Sequence, residues 1–126
     1  MLLTLVAVRV QADLLPPVSI GFAPVGLTTN QTARLNLVNL NVANGMLVNW
    51  RFIDTNGLTV AQSTVTLSSG KIVSFDFRLS GQPRAEMRAQ VDILTPGVPS
   101  ESLRRSLEVF DNDTGATTVC MSGAAP

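Results

Sequence analysis

Met46-Leu47-Val48-Asn49-Trp50-Arg51-Phe52-Ile53-Asp54 is the stretch on which the reading of the fold turns. Successive side chains of an extended strand point to opposite faces. Met46, Val48, Trp50 and Phe52 therefore share one side, and Asn49 and Arg51 share the other. The first face suits burial and the second suits water. Trp50, the single tryptophan, sits in the middle of the buried face. Asn44-Gly45 precedes the run and Thr55-Asn56-Gly57 follows it. Asn and Gly adopt positive φ at low cost, so both flanks are turns. The run is a central strand of an antiparallel sheet, and its neighbours must supply the opposing face.

Those neighbours are visible on both sides. Residues 33–40 alternate, with Ala33, Leu35, Leu37 and Asn39 against Arg34, Asn36, Val38 and Leu40. Residues 72–79 alternate again, with Val73, Phe75, Phe77 and Leu79 inward and Ser74, Asp76 and Arg78 outward. Residues 58–67 lie between the Trp50 strand and the Ser68-Ser69-Gly70-Lys71 turn. Residues 18–27 direct Ile20, Phe22 and Val25 inward. Pro24 interrupts them, which marks an edge strand or a switch between sheets. Thr28-Thr29-Asn30-Gln31 turns the chain.

Two segments fit either period. Over residues 84–94, Met87, Val91 and Leu94 would make a helical stripe. The alternation Ala85, Met87, Ala89, Val91, Ile93 is unbroken, however, and it favours a strand. Residues 101–110 carry the same ambiguity through Leu103, Leu107 and Phe110. They run into Asp111-Asn112-Asp113-Thr114-Gly115 and residues 116–121, which reads as a closing hairpin. Residues 123–126 read as a frayed tail. About eight strands at a spacing near ten residues, with turns between them, predict an all-β antiparallel two-sheet sandwich of seven to nine strands. Its expected core includes Val48, Trp50, Phe52, Phe75, Phe77, Met87 and Val91.

The chain has 126 residues, enough for one domain with a substantial core. Residues 14–126 are expected to form it, with residues 1–13 as a separate apolar segment. Only 14% of residues are charged, and nine basic residues balance nine acidic ones. No basic field exists to attract nucleic acid. The arginines are spread along the chain, on what read as outward strand positions. Histidine and tyrosine are absent, which removes the commonest general base and metal ligand. Cys120, the single cysteine, is either a small buried apolar residue or half of an intermolecular bridge.

Residues 1–13 carry two readings. Residues 2–8 are apolar apart from Thr4, and Val10-Gln11-Ala12 resembles a leader-peptidase site, which points to export. No positive region precedes the apolar run, and the run is too short to span a membrane as a helix. In the competing reading the segment is a strand, with Thr4, Val6, Val8 and Val10 on one face and Leu5, Ala7 and Arg9 on the other. Leu14-Leu15-Pro16-Pro17 ends either one.

From Val18 to Met121 the pattern resembles an immunoglobulin-like or fibronectin-type-III-like sandwich. The carrying features are the inward Trp50, the alternating residues 84–94 and the closing hairpin. Residues 33–39 and 107–114 are also similar to small exported bacterial proteins of this architecture without an assigned role. The resemblance implies a two-sheet fold. It lacks the inter-sheet disulfide and the tyrosine corner, and the fold alone decides no activity.

Sites of chemistry are few. Asp111-Asn112-Asp113-Thr114-Gly115 offers oxygen ligands to calcium, but its Asx side chains equally cap a hairpin turn. Asp54 with Asp76, and Glu86 with Asp92, are carboxylate pairs that glycoside hydrolysis would need close together. Asn30-Gln31-Thr32 and Asn112-Asp113-Thr114 match the glycosylation acceptor pattern. No nucleophile–base pair or metal set can be assembled, so a non-enzymatic protein without a cofactor is expected. The leading expectation is a structural subunit, secreted or at the cell surface. Copies would associate when one gives its N-terminal strand, through Thr4, Leu5, Val6, Val8 and Val10, to the sheet of another. The alternative is an adhesive or carbohydrate-binding module that meets a surface glycan with loops at one end of the sandwich, such as residues 28–32 and 41–45. Neither needs nucleic acid or a membrane span.

Overall fold

The computed structural model describes residues 17–41 and 43–123. They form nine strands: β1 (Val18–Gly21), β2 (Val25–Thr28), β3 (Gln31–Asn39), β4 (Met46–Asp54), β5 (Thr59–Leu67), β6 (Ile72–Arg78), β7 (Arg84–Ile93), β8 (Leu103–Asp111) and β9 (Thr117–Met121). A short 3-10 turn, Ser100–Ser102, leads into β8. One sheet runs β1-β7-β4-β5, with β2 also on β7, and the other runs β6-β3-β8-β9. Every strand ladder is antiparallel. The protein is an all-β two-sheet sandwich.

The alternation rule holds where it was applied most heavily. On β4, Met46, Val48, Trp50 and Phe52 are buried while Leu47 is exposed and Asn49 and Arg51 are half-buried. β4 is an interior strand, paired to β5 and β7. Residues 84–93 are a strand throughout, with Met87, Ala89, Val91 and Ile93 buried. A helix there would leave the β1, β2 and β4 edges unpaired, since all three bond to β7. Residues 103–111 likewise form a strand between β3 and β9.

Several expectations need correction. Pro24 does break residues 18–27, but both halves stay on the same edge of one sheet, against β7, so there is no switch between sheets. The proline supplies no ladder N–H, and β1 and β2 resume pairing on either side of it. Ile53 is buried although strict alternation turns it outward. The β4–β5 register slips at Phe52/Ile53, and a bulge of this kind re-aims the local side chains. Cys120 is exposed rather than buried. It stands opposite Glu108 on β8, whose neighbours Leu107 and Val109 are the buried ones.

A polar residue helps join the layers. Asn39, at the inward-facing end of β3, is fully buried. Its Nδ2 donates to the carbonyls of Leu67 (2.9 Å) and Asn44 (3.0 Å), and its Oδ1 accepts from the backbone N–H of Asn41 (2.8 Å). Leu67 belongs to the opposite sheet. A buried amide with its partners in place ties the sheets at one end without leaving a polar group unpaired.

Candidate functional site

The two sheets are not stacked strand over strand. Trp50 on β4 stacks on Phe75 of β6, with ring centroids 4.5 Å apart and an interplanar angle of 23°. Phe52 on β4 meets Phe77 of β6 at 5.6 Å, and Trp50 meets Phe52 edge-on at 5.6 Å. The pairs Trp50–Phe75 and Phe52–Phe77 bridge the layers and place β6 across from β4. Because β5 lies beyond β4, it overhangs the second sheet. Its inward residues follow from the register with β4: Ala61, Ser63, Val65 and Leu67. Leu67 is buried, Ala61 and Val65 are half-buried, and Ser63 is exposed. On β6, Val73, Phe75 and Phe77 are half-buried and pack against the core. Phe75 and Phe77, expected in the core, thus form its margin.

The opposite side is covered. Ile20 and Leu27 are fully buried there. The chain after β9 passes over β1, and a Cβ on Gly123 would lie 2.8 Å from Ile20 Cγ2 and Phe22 Cζ. Arg105 holds it in place, donating Nε and Nη2 to the Gly123 carbonyl at 3.3 and 3.0 Å and Nη1 to the Ser100 carbonyl at 2.7 Å. Gly123 is therefore anchored and not part of a frayed tail, and Arg105 is not an outward charge. A polar residue at an inward position of the Leu103-Arg105-Leu107-Val109 series was the sequence signal for this clamp. Asn39 carried the same signal.

The remaining candidate sites resolve as follows. Asp111 Oδ1 accepts the backbone N–H groups of Asp113 (2.8 Å) and Thr114 (3.2 Å). Asn112 Oδ1 accepts from the Thr32 hydroxyl, and Asp113 accepts from Asn30 Nδ2 at 3.0 Å. Gly115 takes a φ of 75°. This is an Asx-capped turn in which Asp111 Oδ1, Asn112 Oδ1 and Asp113 Oδ2 each accept a hydrogen bond. Among the described residues no three His, Cys, Asp or Glu side chains converge. Asp54 and Asp76 lie in different sheets. Glu86 and Asp92 are six residues apart on β7, roughly 20 Å along a strand and far beyond the reach of a hydrolytic pair.

Residues 28–32 and 41–45 do not share an end of the sandwich, contrary to the binding-module expectation. The turn at residues 29–30 and residues 40–41 lie at the two ends of the nine-residue β3, about 30 Å apart. Trp50 is 9% exposed and its ring is covered by Phe75, so it offers no face to a sugar.

On the outer face beside β6, Arg34 and Asp76 form a two-point pair, with Nε to Oδ1 at 2.7 Å and Nη2 to Oδ2 at 2.9 Å. Hydrogen bonding to Arg34 holds the Asp76 carboxyl below the usual carboxylate range, and the same bonds raise the Arg34 guanidinium. No helix among the described residues is long and apolar enough to cross a membrane. No protein-family model, curated protein or solved structure matches the chain.

Proposed function

We propose that the protein is an exported, immunoglobulin-like structural subunit that associates with copies of itself by strand addition, one chain giving its N-terminal segment to the sheet of the next. Thr4, Leu5, Val6, Val8 and Val10, the donating residues in this reading, lie outside the described residues. The carrying observation is the side of the sandwich that no described residue covers, where β5 overhangs and the margin residues of both sheets are half-exposed. Unpaired strand edges beside apolar surface accept further strands. The edges here carry few charges: β5 and β9 contain no charged residue and no proline, and β6 carries Asp76, paired to Arg34, and Arg78. A segment apolar on both faces suits such a position better than the surface of a small domain.

The immunoglobulin-like part of the reading is supported by the pairs β3–β6 and β4–β7, which have the adjacency of strands B and E and of C and F in that fold. The terminal strands differ, with β1 beside β7 and β8 beside β3. Placement outside the cell, secreted or on its surface, is supported by the resemblance of residues 33–39 and 107–114 to small exported bacterial proteins; the donor reading takes residues 4–10 as a retained strand and not as a leader. Light scattering of the full chain and of a form lacking residues 1–12 tests the proposal. The full chain is expected to form assemblies larger than one chain, and the truncated form to remain single. Equal assembly size in the two would overturn it.

A further inference from the structure

The stagger of the sheets also selects the place where an added strand docks. We infer that the acceptor is the free edge of β6, beneath the overhanging β5, and that its occupant is residues 4–10 of a second copy of this chain. The inference rests on the strand-donation reading above and adds the site at which it happens.

The free edges are not equivalent. The edge formed by β1 and β2 consists of two four-residue strands split at Pro24, and Gly123 crosses beside it. A strand added to β5 or to β9 would extend an overhang, with no strand across from it among the described residues. A strand added to β6 would face β5. Its inward side chains would meet Ala61, Val65 and the margin of the Trp50–Phe75 stack, and would cover the exposed side of Ser63. Only this edge gives the newcomer both a backbone ladder and an opposing apolar layer. Trp50 Nε1, buried and without a hydrogen-bond partner among the described residues, belongs to the same stack. Native interiors rarely leave such a donor unpaired.

The donor matches the edge in length and pattern. β6 is seven residues long, and so is the segment from Thr4 to Val10. Thr4, Val6, Val8 and Val10 would point between the layers, and Leu5, Ala7 and Arg9 outward beside Ser74 and Asp76. Ile72, 75% exposed at the start of β6, gives the segment a further apolar contact.

A second copy supplies the segment because the hinge has little slack to return it to the same body. The described chain starts at Pro17, next to β1, on the far edge of the first sheet. The β6 site lies three strand widths and one layer away, roughly 14 Å across and about 10 Å through. The seven steps from Val10 to Pro17 span about 25 Å when fully extended, against roughly 17 Å in a straight line. Pro16-Pro17 fixes part of that length in an extended conformation, and the path must also round the end of the sandwich. Short hinges under strain favour exchange between copies over closure.

Mixed single-cysteine chains test this directly. In a Cys120→Ser background, one chain carries Ser74→Cys on the outer side of β6. The other carries Leu5→Cys, Ala7→Cys or Arg9→Cys. Oxidation of an equal mixture is expected to give a mixed disulfide with at least one donor position, identified by mass. Thr64→Cys, on the outer side of β5, is expected to give none. Bridging at Thr64 alone, or at neither site, in a protein whose assembly still needs residues 1–12 overturns the β6 site and leaves strand donation standing. A chain carrying both Ser74→Cys and Ala7→Cys that closes on itself when dilute, with no mixed product, overturns the second-copy assignment. A full chain that stays single removes the donation reading, and the acceptor site with it.

Discussion

Replacing Asn39 probes the tie between the layers, and its cost can be worked from the geometry. Asn39→Leu removes three hydrogen bonds. The Leu67 carbonyl is in the buried bond, and leaving such a group unpaired costs about 1–3 kcal/mol, while each of the two half-buried bonds contributes about 0.5–1.5 kcal/mol. The sum is about 2–6 kcal/mol, a large part of the roughly 5–15 kcal/mol that holds a domain folded. With a urea slope of about 1–3 kcal/mol per molar, the unfolding midpoint should fall by about 2 M. Asn39→Asp sharpens the test. It keeps the acceptor for the Asn41 N–H but turns a carboxylate toward the Asn44 and Leu67 carbonyls. Burial and those carbonyls push that carboxyl above its ordinary value. A group whose folded pKa is raised gives stability that is present in acid and lost as pH rises through the folded pKa. Relative to wild type, Asn39→Asp should therefore be least stable near neutral pH and recover on acidification. Urea titrations followed by Trp50 fluorescence at about pH 4 and about pH 7 read both effects, since an ordinary aspartate titrates near 3.9. An Asn39→Leu loss below about 1 kcal/mol would refute the reasoning, as would an Asn39→Asp penalty that grows in acid.

Other outcomes follow from burial and charge. Phe52→Ala should cost about 3–5 kcal/mol because Phe52 is fully buried. Phe75→Ala, at the half-buried margin, should cost less, about 1–3 kcal/mol. Denaturation midpoints giving the reverse order would contradict the stagger of the sheets. Asp76→Asn should lower stability near neutral pH by no more than about 1 kcal/mol, because both partners of its pair are more than a third exposed. With its folded pKa lowered, the Asp76 contribution is present above the unfolded carboxylate pKa and lost as pH falls through the folded one. The difference between wild type and Asp76→Asn should accordingly vanish in acid and shrink in high salt. Cys120, being exposed, should react with a thiol reagent in the folded protein at a rate close to that of a denatured control. A protected thiol would place β9 differently.

Much of the architecture was legible because strand alternation is a local property. Trp50 and its neighbours on β4, the Met87–Val91 series and the β8–β9 hairpin could each be read from a dozen residues. The errors arose where distant segments decide the outcome. Parity placed Ile53 outside, and a slip in pairing with β5 buries it. Small size and apolarity suggested a buried Cys120, but its strand lies at an overhanging edge. Residues 28–32 and 41–45 looked like partners because both are polar turns, yet β3 holds them at opposite ends. Thr4, Leu5, Val6, Val8 and Val10, the donating residues of the proposal, lie outside the described residues.

By itself the sequence determined the strands and their inward faces, because these depend on side-chain type and a period of two. The tertiary structure alone decided which strand faces which. The offset that sets β6 opposite β4, leaves β5 overhanging and lets Arg105 and Gly123 cover the other side comes from packing between sheets. Residues far apart in the chain make that packing, and no local pattern encodes it.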